Sequence, residues 1–528
     1  MDPPASPMKL RPSRAALAAL LLAASLCGCV GEPSALPQAK GGGGTFRVIL
    51  AGEPRTLDPN PVTDEMAMWI APNLFNKLVT FDTDSRVLPD LAESWTVSDG
   101  GRTYTFRLRQ GVHWHDGEPL TAGDVVWTLT SLAQEPSLVA EALRRIEKVE
   151  APEPRTVVIR LQEPWAPFLP TIAALGTFIL PRHRFAGASP HRWRPEDRPI
   201  GTGPFQFSEW VPGERITLVA NPSFFRTGPY LDRVDYLVRK ERAVAAVASG
   251  EADYASLRAA AGELPDPGQL QQIKVLTQPS DARYYCGFNL RRPPLDDPRV
   301  REALNRAIDR HDLVREALAG YGIPAFGFYT PAVTWAYNAE ARVPGFDPQR
   351  AGALLDEAGL RPDARGIRAE WEIIAPDLSP SPDVVRVIAG QLRAVGISLR
   401  GVVLPLDRWL ERTLESHDFD LALMAGNQGP DPENLNTRFG SAGASQFMGY
   451  SSPAFDAAVA AGARTADLAE RAKAYFRAQE ILSRDLPVAP LAELVRMAVA
   501  RRNVRGLPQQ EARGLVGRND FSLVRLAR

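Results

Sequence analysis

Along the middle of the chain the hydrophobic positions fall mostly at every second residue, and along the last third they fall at every third and fourth. Phe46 to Leu50 reads as a strand, and Pro54 and Pro59 stop it from continuing because each removes a ladder donor. Met66, Ile70, Leu74 and Leu78 share one face of a helix predicted over Asp64–Leu78. From about 85 to 180 period two prevails: Thr103–Leu108 and Thr156–Leu161 are strands, Asp116-Gly117 is a tight turn, and Thr121 with Asp124 resembles a capping box opening a short helix. Gly201-Thr202-Gly203-Pro204 is a turn, since no third Gly occurs at dinucleotide-loop spacing, and strands near 205–209 and 215–219 come after it. Farther on, Asp297-Pro298 and Asp347-Pro348 each supply an N-cap and a preorganised first helical residue. Val300, Ala303, Leu304, Ala307 and Ile308 form the apolar stripe of the first of these helices, and Ala351, Leu354, Leu355 and Ala358 that of the second. A third helix, Pro382–Val395, lies between the strand candidates Glu370–Ile374 and Ile397–Val403, which makes a βαβ unit. The pattern predicts a β-rich body followed by an α/β domain over about 278–495.

The N-terminus departs from both periods. Lys9, Arg11 and Arg14 precede an apolar run of 12 residues, Ala15–Leu26. A spanning helix needs about 20, so this is a signal-peptide core. It ends in Leu26-Cys27-Gly28-Cys29, which resembles the lipobox of bacterial lipoproteins, with Cys29 as the acylated residue; a plain cleaved secretory signal is the alternative. Residues 1–28 are then the signal peptide, and 29–44, rich in Gly, Pro, Ala and Ser, the lipidated Cys and its tether. Acyl chains on Cys29 place the exported protein in the periplasm or on the outer face of the cell membrane. Only Cys286 remains afterwards, so no intrachain disulfide is available, and its Tyr-Tyr-Cys-Gly-Phe context reads as a buried strand.

Composition narrows function mainly by exclusion. With 528 residues, 45% hydrophobic and 23% charged, the chain folds into more than one domain. A net charge of −1 leaves no field for phosphate backbones, so no nucleic acid is expected. His-Glu-x-x-His, Gly-x-Ser-x-Gly, P-loop and paired zinc-type Cys patterns are missing from the sequence. His113-x-His115 puts two rings on one strand face, as two metal ligands would require, but reads better as a solvated hairpin face. Asp296-Asp297 and Asp431-x-Glu433 could serve a glycosidase, although capping explains the first pair. A secreted, lipid-anchored hydrolase is therefore the competing enzyme reading, with no residue to name as its nucleophile. No cofactor and no metal are expected.

Segments spread over nearly all of the exported chain resemble the family 5 extracellular solute-binding proteins, the peptide- and nickel-binding lipoproteins of ABC importers. They include Glu53-Pro-Arg-Thr-Leu-Asp-Pro59, Leu91-Ala-Glu-Ser-Trp95, Gly111 to Val125, Gly201-Thr-Gly-Pro-Phe205, Ala220-Asn-Pro222, Phe288-Asn-Leu290, Pro294 to Ala303, Phe419-Asp-Leu421 and Asp431-Pro432. The resemblance implies an α/β, two-lobed periplasmic-binding-protein-like fold with an inserted β-rich domain. Lobe I would comprise 45–75, 196–275 and 498–528, the inserted domain 76–195, and lobe II 276–497, with crossovers near 273–278 and 495–500 acting as a hinge. It also implies a monomer that captures a small, peptide-like ligand between the lobes, delivers it to an ABC permease with its ATPase subunits, and catalyses nothing.

By the same resemblance, ligand contacts fall on two regions. One is the loop after Leu-Asp-Pro: Val62, Thr63, Asp64, Glu65 and Met66, where Thr63 or Asp64 could equally be a helix N-cap. The other is Ala425, Gly426, Asn427 and Gln428, ahead of Asp431-Pro432. Peptide-binding members present a Trp and an Asp there, the Asp pairing with the ligand's α-amino group. Here those positions are Ala425 and Asn427 or Gln428, which supply no countercharge and predict a neutral or N-blocked ligand. Tyr284, Tyr285 and Asn289 adjoin the cleft by the same implication, and Trp409 either faces the ligand or belongs to the core.

Overall fold

A computed structural model describes residues 43–60, 65–81, 86–134, 139–174, 176–185, 198–239, 242–257, 264–378, 380–429, 431–508 and 520–527. The expected signal segment, Cys29, and Val62, Thr63 and Asp64 lie outside the described residues.

In chain order the strands are β1 (Thr45–Leu50), β2 (Val79–Phe81), β3 (Val87–Pro89), β4 (Ala92–Ser98), β5 (Thr103–Leu108), β6 (Ile146–Glu153), β7 (Thr156–Leu161), β8 (Phe205–Val211), β9 (Arg215–Ala220) and β10 (Arg233–Val238). They continue with β11 (Tyr254–Leu257), β12 (Ile273–Phe288), β13 (Gly322–Pro324), β14 (Ala369–Pro376), β15 (Ile397–Leu404), β16 (Leu421–Asn427), β17 (Val488–Arg501), β18 (Val504–Arg505) and β19 (Arg525–Leu526). Eleven of them form one mixed sheet, ordered β15-β14-β16-β12-β17-β11-β1-β10-β9-β8, with β13 on β17. Lobe I holds β11-β1-β10-β9-β8 and lobe II holds β16-β14-β15. The two longest strands, β12 and β17, run antiparallel from Ile273↔Arg501 to Gly287↔Val488 and tie one lobe to the other. Both expected crossovers fall inside this ribbon.

The period-two segments form a separate four-stranded sheet, β4-β5-β7-β6. Tyr104, Phe106 and Leu108 of β5 and Val157, Ile159 and Leu161 of β7 are buried beside Val125, Leu129 and Leu132 of the helix Ala122–Gln134. In lobe II the βαβ unit is present: β14 and β15 pair in parallel, and the helix Ser381–Arg393 connects them. Helices cover both faces of this part of the sheet. Pro298–Arg306, Arg310–Ala317 and Pro348–Glu357 share one core, while Leu468–Asp485 belongs to another. The two Asp-Pro caps form as expected: Asp297 accepts from Arg299 N at 2.8 Å, and Asp347 from Arg350 N at 2.9 Å. Asp124 accepts from both the backbone N–H and the hydroxyl of Thr121, at 2.8 and 2.9 Å.

The helix predicted over Asp64–Leu78 is shorter, Glu65–Leu74. Pro72 supplies no N–H within it, and the Leu74 carbonyl accepts from Gly203 N at 2.9 Å, so a tertiary contact takes the acceptor that would have continued the helix. Leu78 instead packs in the core of the four-stranded sheet. The His113-x-His115 pair does not present a shared ligand face. His113 is exposed, whereas His115 accepts from Gly201 N at 3.1 Å through Nδ1 and donates to Gly203 O at 3.1 Å through Nε2. Burial pushes its pKa down to about 4, so the ring is neutral and serves as a clamp on the Gly201–Gly203 loop.

The two glycines of that loop leave no room for a side chain. A Cβ on Gly203 would lie 2.6 Å from Asn73 O and 2.5 Å from Leu74 C, whereas one on Gly390, inside the helix Ser381–Arg393, meets nothing within 4 Å. Gly203→Ala is expected to destabilise the protein by roughly 1–3 kcal/mol through forced backbone shifts, and Gly390→Ala to leave it unchanged or stabilise it by up to about 1 kcal/mol. Denaturant melts of the two variants would show the contrast; equal midpoints would contradict it.

Candidate functional site

Where β12 and β17 cross between the lobes, the ladder is interrupted. Pro279 pairs with Val495 and Arg283 with Glu493, so Ser280, Asp281 and Ala282 stand opposite Leu494 alone. Pro279 has no N–H to give the ladder, and the surplus residues bulge out of it. The bulge is pinned by polar contacts: Ser280 Oγ donates to Leu494 O at 2.9 Å, Ala282 N donates to Ser280 Oγ at 3.1 Å, and Gln428 N donates to Asp281 O at 2.6 Å. Immediately beyond it Arg283 and Glu493, with side chains 3% and 4% exposed, form a buried ion pair. The Arg283 guanidinium also donates to Gly327 O and Tyr329 O, both at 2.9 Å.

The bulge opens into a cavity of about 990 Å³ walled by both lobes. Lobe I contributes Val48 and Leu50 of β1, Met66 and Trp69 of the helix Glu65–Leu74, and Tyr254 of β11. The β-rich part adds Arg145 and Trp165, stacked with the guanidinium 4.7 Å from the ring centroid. Lobe II and the ribbon bring Asp281, Tyr284, Asn427, Asp431, Glu433, Asn436 and Arg496. On the far side, Ala166 N donates to Ala463 O at 2.8 Å, which joins the β-rich part to the helix Pro453–Arg464 of lobe II. A second depression, of about 800 Å³, lies against the helix Ala122–Gln134 and β6 and draws on the β-rich part alone.

Most charges on the wall already have partners. Arg471 holds both oxygens of Asp431 at 2.8 Å, and Asp431 also accepts from Glu433 N at 3.0 Å, so the Asp431-Pro432 motif anchors the turn before the helix Asn434–Phe439. Arg226 bridges Asp90 at 2.7 Å and Asp520 at 3.4 Å. Lys77 Nζ donates to Ala173 O at 2.5 Å, and burial lowers its pKa to about 8 although Asp90 opposes the change. Glu433 accepts from Asn436 at 3.0 Å and from Tyr475 OH at 3.3 Å; burial, with Asp431 adding to it, raises its pKa to about 7. Asp431 and Glu433 are thus tied to structural partners rather than set as the acid and base of a hydrolase. Asp281 is different. Its Oδ1 is buried without a hydrogen-bond partner, and Arg496 Nη2 stands 3.6 Å away.

Of the residues singled out from the sequence, Met66, Tyr284 and Asn427 line the cavity. Tyr284 is nevertheless 2% exposed, with its hydroxyl 3.4 Å from Ser381 Oγ. Ala425 faces Tyr284 across the β12–β16 ladder and packs on the lobe II core; Gly426 passes close to Arg438; Gln428 is buried behind the cavity wall. Asn289 and Trp409 do not reach the cavity. The Asn289 amide donates to His417 O and Phe419 O and accepts from Arg291 N, which ties down the turn after β12. Trp409 packs edge-on to Phe447, with centroids 5.9 Å apart, inside the second lobe II core. Tyr285 belongs to that core too. Glu65 opens the helix that carries Met66. Sequence reasoning missed Trp69, Arg145, Trp165, Tyr254, Asp281 and Arg496; only Asp281 had a signal, a Pro interrupting a long β-type run two positions earlier.

Comparison with known proteins agrees with this architecture. The family described as bacterial extracellular solute-binding proteins, family 5, matches over residues 86–447. Di/tripeptide-binding protein 2 of Pseudomonas aeruginosa is 30% identical over 526 residues, covering 91% of this chain and 95% of the relative. The glutathione-binding protein GsiB of Salmonella typhi is 28% identical, covering 85% and 89%. The crystal structure of the ABC transporter substrate-binding protein CtaP from Listeria monocytogenes superposes with a TM-score of 0.81 at 26% identity, covering 92% of this chain and all of that one.

Glu433 gives the cavity a titration near neutrality. Its folded pKa lies above that of a free carboxyl, so the protein is most stable with Glu433 protonated and loses that stability as pH rises from about 4.5 to about 7. Glu433→Gln, which keeps a neutral hydrogen-bonding group, is expected to melt like the wild type at pH 5 and to be more stable by roughly 1–3 kcal/mol at pH 8. The same difference at both pH values would show that the carboxyl is not perturbed.

Proposed function

The chain belongs to the family 5 bacterial extracellular solute-binding proteins, and from that premise we propose that it is a lipid-anchored receptor that encloses a small peptide-like ligand between its lobes and passes it to an ABC permease. One observation carries the reading: the cavity of about 990 Å³ takes its walls from both lobes and from the ribbon between them. That is the upper end of the size of small-ligand sites, and enough for a short peptide. The relatives named for di/tripeptide and glutathione binding support that ligand class. A ligand gripped from both sides favours the closed arrangement, because only there does it touch both walls. Binding proceeds without turnover in this reading, and the protein works as a monomer.

Attachment depends on the N-terminus. No helix among the described residues is long and apolar enough to cross a membrane, so retention at the membrane would rest on acylation of Cys29, with residues 30–44 as a tether to β1. The protein would then sit in the periplasm or on the outer face of the cell membrane.

Two measurements test these statements. Native mass spectrometry of the purified protein, followed by calorimetry with glutathione and di- and tripeptides, is expected to show one bound molecule per chain and no product; turnover of any of them would overturn the receptor reading. Cys29→Ser is expected to move the protein from the membrane to the soluble fraction with its peptide affinity unchanged. A Cys29→Ser variant that stays with the membrane would remove the lipid anchor from the proposal.

A further inference from the structure

The lobe I end of the ribbon carries a surface that the cavity does not use. Near the pairing of Ile273 with Arg501, four cations gather around β18 and β19: Lys274, Arg502, Arg505 and Arg525, the three arginines exposed. Lys274 Nζ donates to Val504 O at 2.6 Å, Arg502 to Gln271 O at 3.0 Å and Leu270 O at 2.7 Å, and Arg505 to Val504 O at 3.1 Å and to Arg502 O. The Arg525 guanidinium stands 3.7 Å from the centre of the Tyr230 ring. Each is thus held by carbonyls or a ring, and none of the four pairs with a carboxylate among the described residues. Acids at this end are engaged elsewhere: Asp232 accepts from Gly44 N, Asp253 from Arg47 N and Arg501, and Asp266 from Gln269 N. Burial, and after it the like charge of Arg505, lowers the Lys274 pKa.

Two exposed leucines flank the cations. Leu270 gives its carbonyl to Arg502, and Leu523 lies against the residue after Arg505, since a Cβ on Gly506 would be 2.1 Å from Leu523 O. Positive charge edged by aliphatic side chains suits an anionic lipid surface, where guanidinium groups pair with phosphates and apolar groups enter the headgroup boundary. The chain is attached at the same place. Gly43 lies against Tyr230, whose ring carries Arg525: a Cβ on Gly43 would be 1.8 Å from Tyr230 O, and one on Gly44 would be 3.8 Å from Leu526 Cδ1 of β19. Thirteen residues lie between Cys29 and Gly43, a span of at most about 50 Å. A protein anchored through Cys29 is therefore joined to its membrane at the edge of this patch.

We propose that this face of lobe I, centred on Arg502, Arg505 and Arg525, rests on the anionic phospholipid headgroups of the membrane that holds the anchor. The inference goes beyond the ligand reading above and rests only on its lipid anchor. Each basic residue near an anionic surface adds a modest attraction, so four of them give an affinity of only about a millimolar. That is too weak to keep an unanchored protein in the membrane fraction. It is enough to select which face of an anchored protein meets the bilayer.

Flotation of the unacylated full chain, Cys29→Ser, at millimolar lipid tests the patch without the anchor, using vesicles of phosphatidylcholine alone or mixed equally with phosphatidylglycerol. At low salt the protein is expected to bind the phosphatidylglycerol vesicles and not the neutral ones, and to be released as salt approaches about 0.15 M, where charges are screened within about 8 Å. Arg525→Glu, whose side chain has the Tyr230 ring as its partner, is expected to fold normally, keep its peptide affinity and bind anionic vesicles about tenfold or more weakly. Joint replacement by Arg502→Gln, Arg505→Gln and Arg525→Gln is expected to abolish vesicle binding. No binding to anionic vesicles, equal binding to both kinds, or binding that Arg525→Glu leaves intact would overturn the proposal while leaving the anchor in place. Charge-dependent retention by native membranes but not by protein-free anionic vesicles would overturn it in favour of a protein partner. Fractionation of cells carrying Cys29→Ser judges the anchor separately.

Discussion

Arg283 and Glu493 face each other across the β12–β17 ribbon with almost no exposure, and the register they fix is the constraint on which the two-lobed arrangement depends. Removing one member of such a pair costs about 3–5 kcal/mol because the other charge is left buried and alone. A slip of the ribbon by one residue would have the same effect, and would also withdraw the guanidinium from Gly327 O and Tyr329 O. With the register fixed, the surplus of three residues against one has a single place to go. The cavity corner is thus set by an ion pair that does not itself line the cavity.

The same ribbon explains how one sheet can serve two lobes. Each end of it is buried by local pairing, β11 on β17 at one end and β16 on β12 at the other. Both register shifts of the ladder fall between Pro279 and Tyr285, and a β-bulge is where a strand bends and twists most easily. The break in the ribbon between the lobes and the shape of the cavity corner therefore share the same few residues.

How much of this was legible in the sequence depended on how local the cause was. The β14–helix–β15 unit and the caps at Asp297 and Asp347 were readable because their signals are local: the unit is one continuous stretch, Ala369–Leu404, and each cap residue directly precedes its proline. The early end of the helix at Leu74 was not, because the Gly203 N–H that takes its carbonyl lies far along the chain. Asn289 and Trp409 carry the right chemistry for ligand contact, but the demand of the turn at His417–Phe419 for donors, and the space beside Phe447, absorb them. Asp281 was invisible for a related reason. Its place on the cavity wall comes from the pairing of two strands more than two hundred residues apart, and a Pro two positions earlier was the only local trace.

The contact between Ala166 and Ala463 has a bearing on how such a receptor can change over evolutionary time. It joins the β-rich part to lobe II through a peptide N–H and a peptide carbonyl, groups that every residue but proline supplies in full. Mutations that recast the cavity wall around Trp165 or Glu433 can therefore accumulate without dismantling this junction. Divergence in what is recognised is uncoupled, at this point, from the mechanics of holding the two sides together.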